Sequence, residues 1–143
     1  MESKFSPTQL TRYLTYLALP PKYETYITNP TSFPKTEEAL TTLFRCQITR
    51  FPYDNLTLHY TKTSVIDIAP LSIYDKFMGA GETPPSGRGG YCLECSIFFQ
   101  HVLLGLGFSV YMTGVRNRER IDGIPQGEYQ GWYVHETVNQ TIY

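Results

Sequence analysis

The chain has 143 residues, of which 41% are hydrophobic, 15% aromatic and 17% charged, with a formal net charge of -1. That is enough apolar material for one globular core, and the aromatic content excludes a disordered tail. The near-neutral balance lacks the electrostatic footprint of a nucleic-acid or anionic-membrane partner.

Ser6-Pro7 followed by Leu10, Tyr13, Leu14, Leu17 and Ala18 predicts a capped helix with proline at its first position, ending near Leu19 before Pro20-Pro21. Thr36-Glu37-Glu38 opens a second helix with acidic residues in its first turn and the apolar stripe Leu40, Leu43, Phe44, Ile48; Pro52 closes it. From Leu56 to Ile68 the β-branched and alternating residues predict short extended pieces around a polar turn. Pro70 to Met78 predicts a short helix starting at a proline. Gly79 to Gly90 is a run of turn formers and therefore a loop. Leu93, Ile97, Phe98, Val102, Leu103 and Leu106 then trace a helix of about four turns, stopped by Gly105 and Gly107. Phe108 to Gly114 alternates as a strand, Arg116 to Gln130 is a polar, solvated loop, and Tyr133 to Tyr143 alternates again, with Val134, Val138 and Ile142 on one face.

The most apolar stretch, Ser96 to Met112, is interrupted by Gln100, His101 and Ser109 and is shorter than the roughly 20 residues a bilayer needs. No membrane span is expected, and Met1 to Phe5 has no secretion signal, so a cytoplasmic location is expected. In that compartment Asn55-Leu56-Thr57 and Asn139-Gln140-Thr141 are chance glycosylation triplets, and Cys46, Cys92 and Cys95 are free thiols.

The glycine-rich loop delivers Cys92 to the first turn of a buried helix, where the helix dipole favours thiolate and unpaired N–H groups can hold a developing oxyanion. Gly89 and Gly90 let the chain turn sharply and let a ligand approach the sulfur. A small apolar residue at an ordinary helix start accounts for Cys92 equally well. Cys92-x-x-Cys95 also fits a redox pair or half of a zinc site. No second motif at ligand spacing can be built from Cys46, His59, His101 and His135, so no metal is expected. A thioredoxin-type pair belongs after the first strand of a βαβ unit, whereas this one follows helices and a loop. Among the histidines, His101 is more than two turns along the helix from Cys92 and cannot reach it, which leaves His135 as the base that a fold could bring opposite the thiol. An orienting carboxylate is not evident, because Glu136 and His135 point to opposite faces of a strand.

Arg88-Gly89-Gly90-Tyr91-Cys92 resembles the arginine-glycine-glycine-aromatic-cysteine signature of the arylamine N-acetyltransferases, and Arg50-Phe51-Pro52-Tyr53-Asp54-Asn55-Leu56 is similar to a second segment of that family. Gly107-Phe108 followed by a strand fits the same register, the resemblance runs from about Phe5 to Trp132, and the long loop Arg118 to Gln130 resembles the fungal branch.

The resemblance implies an α+β fold of cysteine-proteinase-like arrangement, in which an N-terminal helical bundle is followed by the first strands of a β-barrel-like domain that is incomplete here. Residues 1–107 would be the helical domain carrying the nucleophile loop and helix. Residues 108–143 would start the barrel, with 133–143 either a tail foreign to the family or a family strand whose register has slipped by one residue, in which case His135 is the family's histidine. It further implies an N-acyltransferase that uses acetyl-CoA or malonyl-CoA as co-substrate, with no bound cofactor, and passes the acyl group through the cysteine to an arylamine or hydrazine. On that basis Cys92 is the nucleophile; Gly90, Tyr91 and Leu93 help build the oxyanion site; Phe51 lines the acceptor pocket; and Arg88 with Asp54 forms a structural ion pair. The family's histidine follows Gly-Trp after one residue, whereas Tyr133 and Val134 both intervene between Gly131-Trp132 and His135. The family's aspartate, the rest of its barrel and its α/β lid are not found in the sequence. The alternative is an inactive truncated member acting as a binding or interaction module, and an exposed sheet edge predicts self-association.

Overall fold

The computed structural model describes residues 2–81, 84–116, 120–121, 124–125 and 136–142, with side chains described as far as residue 113. Helix α1, Pro7–Leu17, starts at a capping box: Ser6 Oγ accepts from the Gln9 N–H, and Gln9 Oε1 accepts from the Ser6 N–H. It ends where Ala18 turns left-handed at φ 50°, one residue before the expected stop. Two 3-10 turns, Pro21–Tyr26 and Pro30–Ser32, follow. The sequence reading missed both, although each opens on a proline whose fixed φ suits a first helical position.

Helix α2, Glu37–Arg50, is capped by Thr36 Oγ1. Its buried positions are Ala39, Leu43 and Gln47, while Phe44 and Ile48 of the expected stripe are half exposed. Gln47 is tolerated inside because Tyr13 Oη donates to its Oε1 at 2.7 Å. The expected extended pieces after Leu56 are corrected to a short helix α3, Leu56–Tyr60, and an irregular stretch. The reason is local: Asp54 Oδ1 accepts the Leu56 N–H at 2.7 Å and starts a helical turn, and no residue of α3 is buried, so the alternating apolar pattern has no sheet face to fill.

Helix α4, Pro70–Met78, buries Ile73, Tyr74, Phe77 and Met78. Helix α5, Cys92–Gly105, is buried almost all round from Phe98 to Leu103, as befits the central element. Phe98 is its hub, with ring centroids 4.9 Å from Phe77, 5.2 Å from Phe51, 5.5 Å from Phe5 and 5.6 Å from Tyr13. Rings from helices α1 and α4 and from two segments outside the helices thus meet on one side chain of α5.

Strand β1, Val110–Arg116, pairs antiparallel with β4, Glu136–Ile142, in the register Val110 opposite Ile142 through Arg116 opposite Glu136. Both strands lie against α5. The expected solvated loop after Arg116 contains two further short strands, β2 (Arg120–Ile121) and β3 (Ile124–Pro125), paired antiparallel. The result is a helix-rich mixed fold, which fits the α+β expectation at that coarser level. No helix of the described residues is long and apolar enough to cross a membrane.

Candidate active site at the start of helix α5

Cys92 is the first residue of α5 and is partly exposed. Its position is fixed from three sides. From the Phe51-Pro52 segment, Tyr53 forms an isolated parallel bridge with Gly90, and the Asp54 N–H donates to the Gly90 carbonyl at 3.0 Å. This close approach explains the two glycines: a Cβ on Gly89 would lie 1.6 Å from the Pro52 carbonyl oxygen, and one on Gly90 would lie 2.7 Å from the Phe77 ring. The motif is a packing requirement before it is a chemical one.

From α4, Ser86 Oγ donates to the Lys76 carbonyl and accepts from the Arg88 N–H, both at 3.1 Å. Arg12 of α1 donates to the carbonyls of Met78, Gly79 and Gly81, gathering the start of the loop. Arg88 closes the loop over Asp54, its Nε and Nη2 donating to Oδ2 at 3.2 and 3.1 Å. Burial alone would push the Asp54 carboxyl up; the Leu56 N–H and the Arg88 guanidinium more than offset it and hold the group below the usual carboxylate value. The pair expected from the sequence is present in the geometry.

Within the turn, Glu94 Oε2 accepts the Tyr91 N–H at 2.9 Å, and Lys76 Nζ donates to Glu94 Oε1 and Oε2 at 2.8 and 3.0 Å. The Tyr91 phenol is raised above its ordinary value, by its interaction with the Cys92 thiol first and by burial second. Cys95 is different in kind. Burial pushes its thiol up, and it donates to the Gly90 carbonyl at 3.3 Å, so it serves as a protonated structural donor. The N–H groups of Cys92 and Leu93 lie in the first turn, where no intrahelical acceptor exists for them.

Phe51 is 4% exposed and lies beneath this loop, its ring 5.4 Å from that of Phe77 and nearly parallel to it. His101 is buried, with Nδ1 accepting the Lys4 N–H at 3.1 Å and its carbonyl accepting Ser3 Oγ at 2.7 Å. It ties the N-terminal strap to α5, and its distance along the helix keeps it from the thiol, as the spacing predicts. His135, the expected base, lies outside the described residues, as do Gly131 and Trp132. Among the described residues no group of three His, Cys, Asp or Glu side chains is arranged to hold a metal ion.

A family model described as N-acetyltransferase matches residues 36–127, which includes Phe51, Asp54 and the whole of Arg88 to Leu93. The chain belongs to the arylamine N-acetyltransferase family. N-malonyltransferase FDB2 of Gibberella moniliformis is 29% identical over 101 residues, 66% of this chain and 27% of that protein. The protein of the same name from Fusarium pseudograminearum is 26% identical over 143 residues, 90% of this chain and 39% of that one. Arylamine N-acetyltransferase, pineal gland isozyme NAT-3, of Gallus gallus is 32% identical over 79 residues, covering 55% and 24%. The chain therefore spans only about a quarter to two fifths of the length of these relatives.

Family membership gives Cys92 its context, but Lys76, Glu94 and Arg12 were missed by sequence reasoning. One signal for Glu94 was available: it stands three residues after the N-cap Tyr91, the spacing at which a glutamate reaches back to a helix cap. Arg12 and Lys76 act across the fold and left no local trace.

Proposed function

We propose that the protein takes part in acyl-CoA-dependent N-acyl transfer, with Cys92 as the nucleophile of a two-step exchange. The observation that carries this is the placement of Cys92: a partly exposed thiol at the first position of a buried helix, on a loop held by Asp54, Lys76 and Arg12. In the first step sulfur attacks the thioester carbonyl, the S–C bond forms, the bond to CoA breaks, and the thiol proton leaves on CoA. In the second step an amine attacks the acyl-cysteine, which regenerates the thiol as the amide N–C bond forms. Each step passes through a tetrahedral oxyanion, and the Cys92 and Leu93 N–H groups of the first helical turn are the proposed donors to that charge.

His135 is the proposed base. Acetyl-CoA and malonyl-CoA are the proposed donors, in keeping with the names of the relatives, and an arylamine or hydrazine is the proposed acceptor. The two barrel-like features of the proposal, a second domain from residue 108 onward and an open sheet edge that favours self-association, rest on β1 and β4 forming a two-stranded sheet among the described residues. A cytoplasmic location completes it. The test is release of free CoA thiol from acetyl-CoA or malonyl-CoA in the presence of an arylamine. Amine-dependent release that disappears in Cys92→Ala supports the function, and release unchanged by that substitution refutes it.

A further inference from the structure

We propose that Glu94, held by Lys76, is a positioning residue that orients the peptide unit delivering Cys92; this rests on the reading of Cys92 as nucleophile. The Gly90 carbonyl and the Tyr91 N–H belong to one rigid peptide plane. Its oxygen end accepts from the Asp54 N–H at 3.0 Å and from Cys95 Sγ at 3.3 Å. Its N–H end donates to Glu94 Oε2 at 2.9 Å. Clamping both ends fixes the rotation of the plane, and with it the direction in which the next residues, Cys92 and Leu93, present sulfur and N–H groups.

Glu94 can do this because it is itself held. It is 3% exposed, a burial that a carboxylate tolerates only with partners, and Lys76 Nζ donates to both of its oxygens. Lys76 sits on α4, whose neighbouring Phe77 ring backs Gly90. Lys76 thus compensates the buried charge, and the reach of the Glu94 side chain to the Tyr91 N–H sets the turn that carries the thiol. A glutamate serving the cap alone would need no partly buried lysine held against both of its oxygens. A lysine serving charge balance alone would not require the carboxylate to reach back to Tyr91.

Single-turnover acylation of Cys92 by acetyl-CoA tests the proposal in the full chain. Glu94→Ala is expected to slow acylation about tenfold to a hundredfold, the range expected for a misplaced reacting group. The half-saturating acetyl-CoA concentration should stay within about twofold, since only the positioned step is lost. The double variant Lys76→Met/Glu94→Gln keeps a neutral acceptor for the Tyr91 N–H and is expected to stay within about threefold of wild type. An unchanged rate in Glu94→Ala, equal losses in both variants, or a loss confined to half-saturation overturns the proposal.

Iodoacetamide alkylation of Cys92 across pH, with Cys95 as internal reference, is measured on the same proteins and needs no acyl donor. The expected result is a displaced Cys92 profile in Glu94→Ala, restored in the double variant, with the Cys95 rate constant throughout. A Cys92 profile that does not move, or that moves together with Cys95 as the helix loosens, overturns it. If the wild-type chain alkylates at Cys92 but takes no acyl group, the nucleophile reading fails, and the alkylation comparison still decides the positioning role.

Discussion

The backbone N–H of Asp54 donates to the carbonyl of Gly90 at 3.0 Å, which joins the segment after α2 to the last turn before Cys92. The side chain of the same Asp54 accepts from Arg88 and from the Leu56 N–H, so one residue starts α3, closes the glycine loop and anchors it. The two segments by which the family is recognised in this sequence are therefore one structural unit.

Gly89→Ala tests that unit. Its Cβ would fall 1.6 Å from the Pro52 carbonyl oxygen, which no side-chain rotation can relieve. We expect a loss of at least about 1–3 kcal/mol in urea unfolding, the usual cost of overpacking. Gly87→Ala is the comparison: nothing lies within 4 Å of its Cβ, and only its φ of +71° is strained. It should cost about 1–2 kcal/mol. A Gly89→Ala protein no less stable than Gly87→Ala would contradict the close approach.

Phe98→Ala removes the ring at which Phe5, Tyr13, Phe51 and Phe77 meet. Core truncations of this kind cost about 3–5 kcal/mol, against a total stability on the order of 5–15 kcal/mol for a domain. A large drop in the urea midpoint is expected, with Cys95 alkylated faster as α5 loosens. A midpoint shifted no more than that of the half-exposed Phe44→Ala would show that the core is centred elsewhere.

The helices were legible where a local signal was strong. Ser6-Pro7, Thr36-Glu37 and Pro70 each mark a start that the fold uses, and the glycine loop announces itself by composition. The stretch Leu56 to Tyr60 misled because alternation predicts a strand only where a face is buried, and α3 buries none. Gln47 inside and Phe44 outside could not be foreseen either, since Tyr13 from another helix decides the matter. The same holds at the site: Cys92 is marked by its own neighbours, while Lys76 and Arg12 come from α4 and α1 and contribute through contacts that no spacing encodes.

His101 predicts a pH dependence. Burial first, and the Lys4 charge second, lower its pKa, and the folded ring must be neutral at Nδ1 to accept the Lys4 N–H. A base with a depressed folded value binds its proton more readily when unfolded, so stability is full above the ordinary histidine value of 6.5 and is lost as pH falls through the folded value. The urea midpoint of wild type should decline below about pH 6.5, and that of His101→Gln should decline less over the same range. Parallel declines would assign the effect to other groups.

On this mechanism Cys92 carries the acyl group between donor and amine. Incubation with acetyl-CoA or malonyl-CoA, followed by intact-protein mass measurement and peptide mapping, tests it most directly. A single acyl adduct is expected on the peptide containing Cys92, absent from Cys92→Ala and discharged on adding an arylamine. An adduct of equal yield in Cys92→Ala, or a wild-type chain that takes no acyl group from either donor, would contradict it.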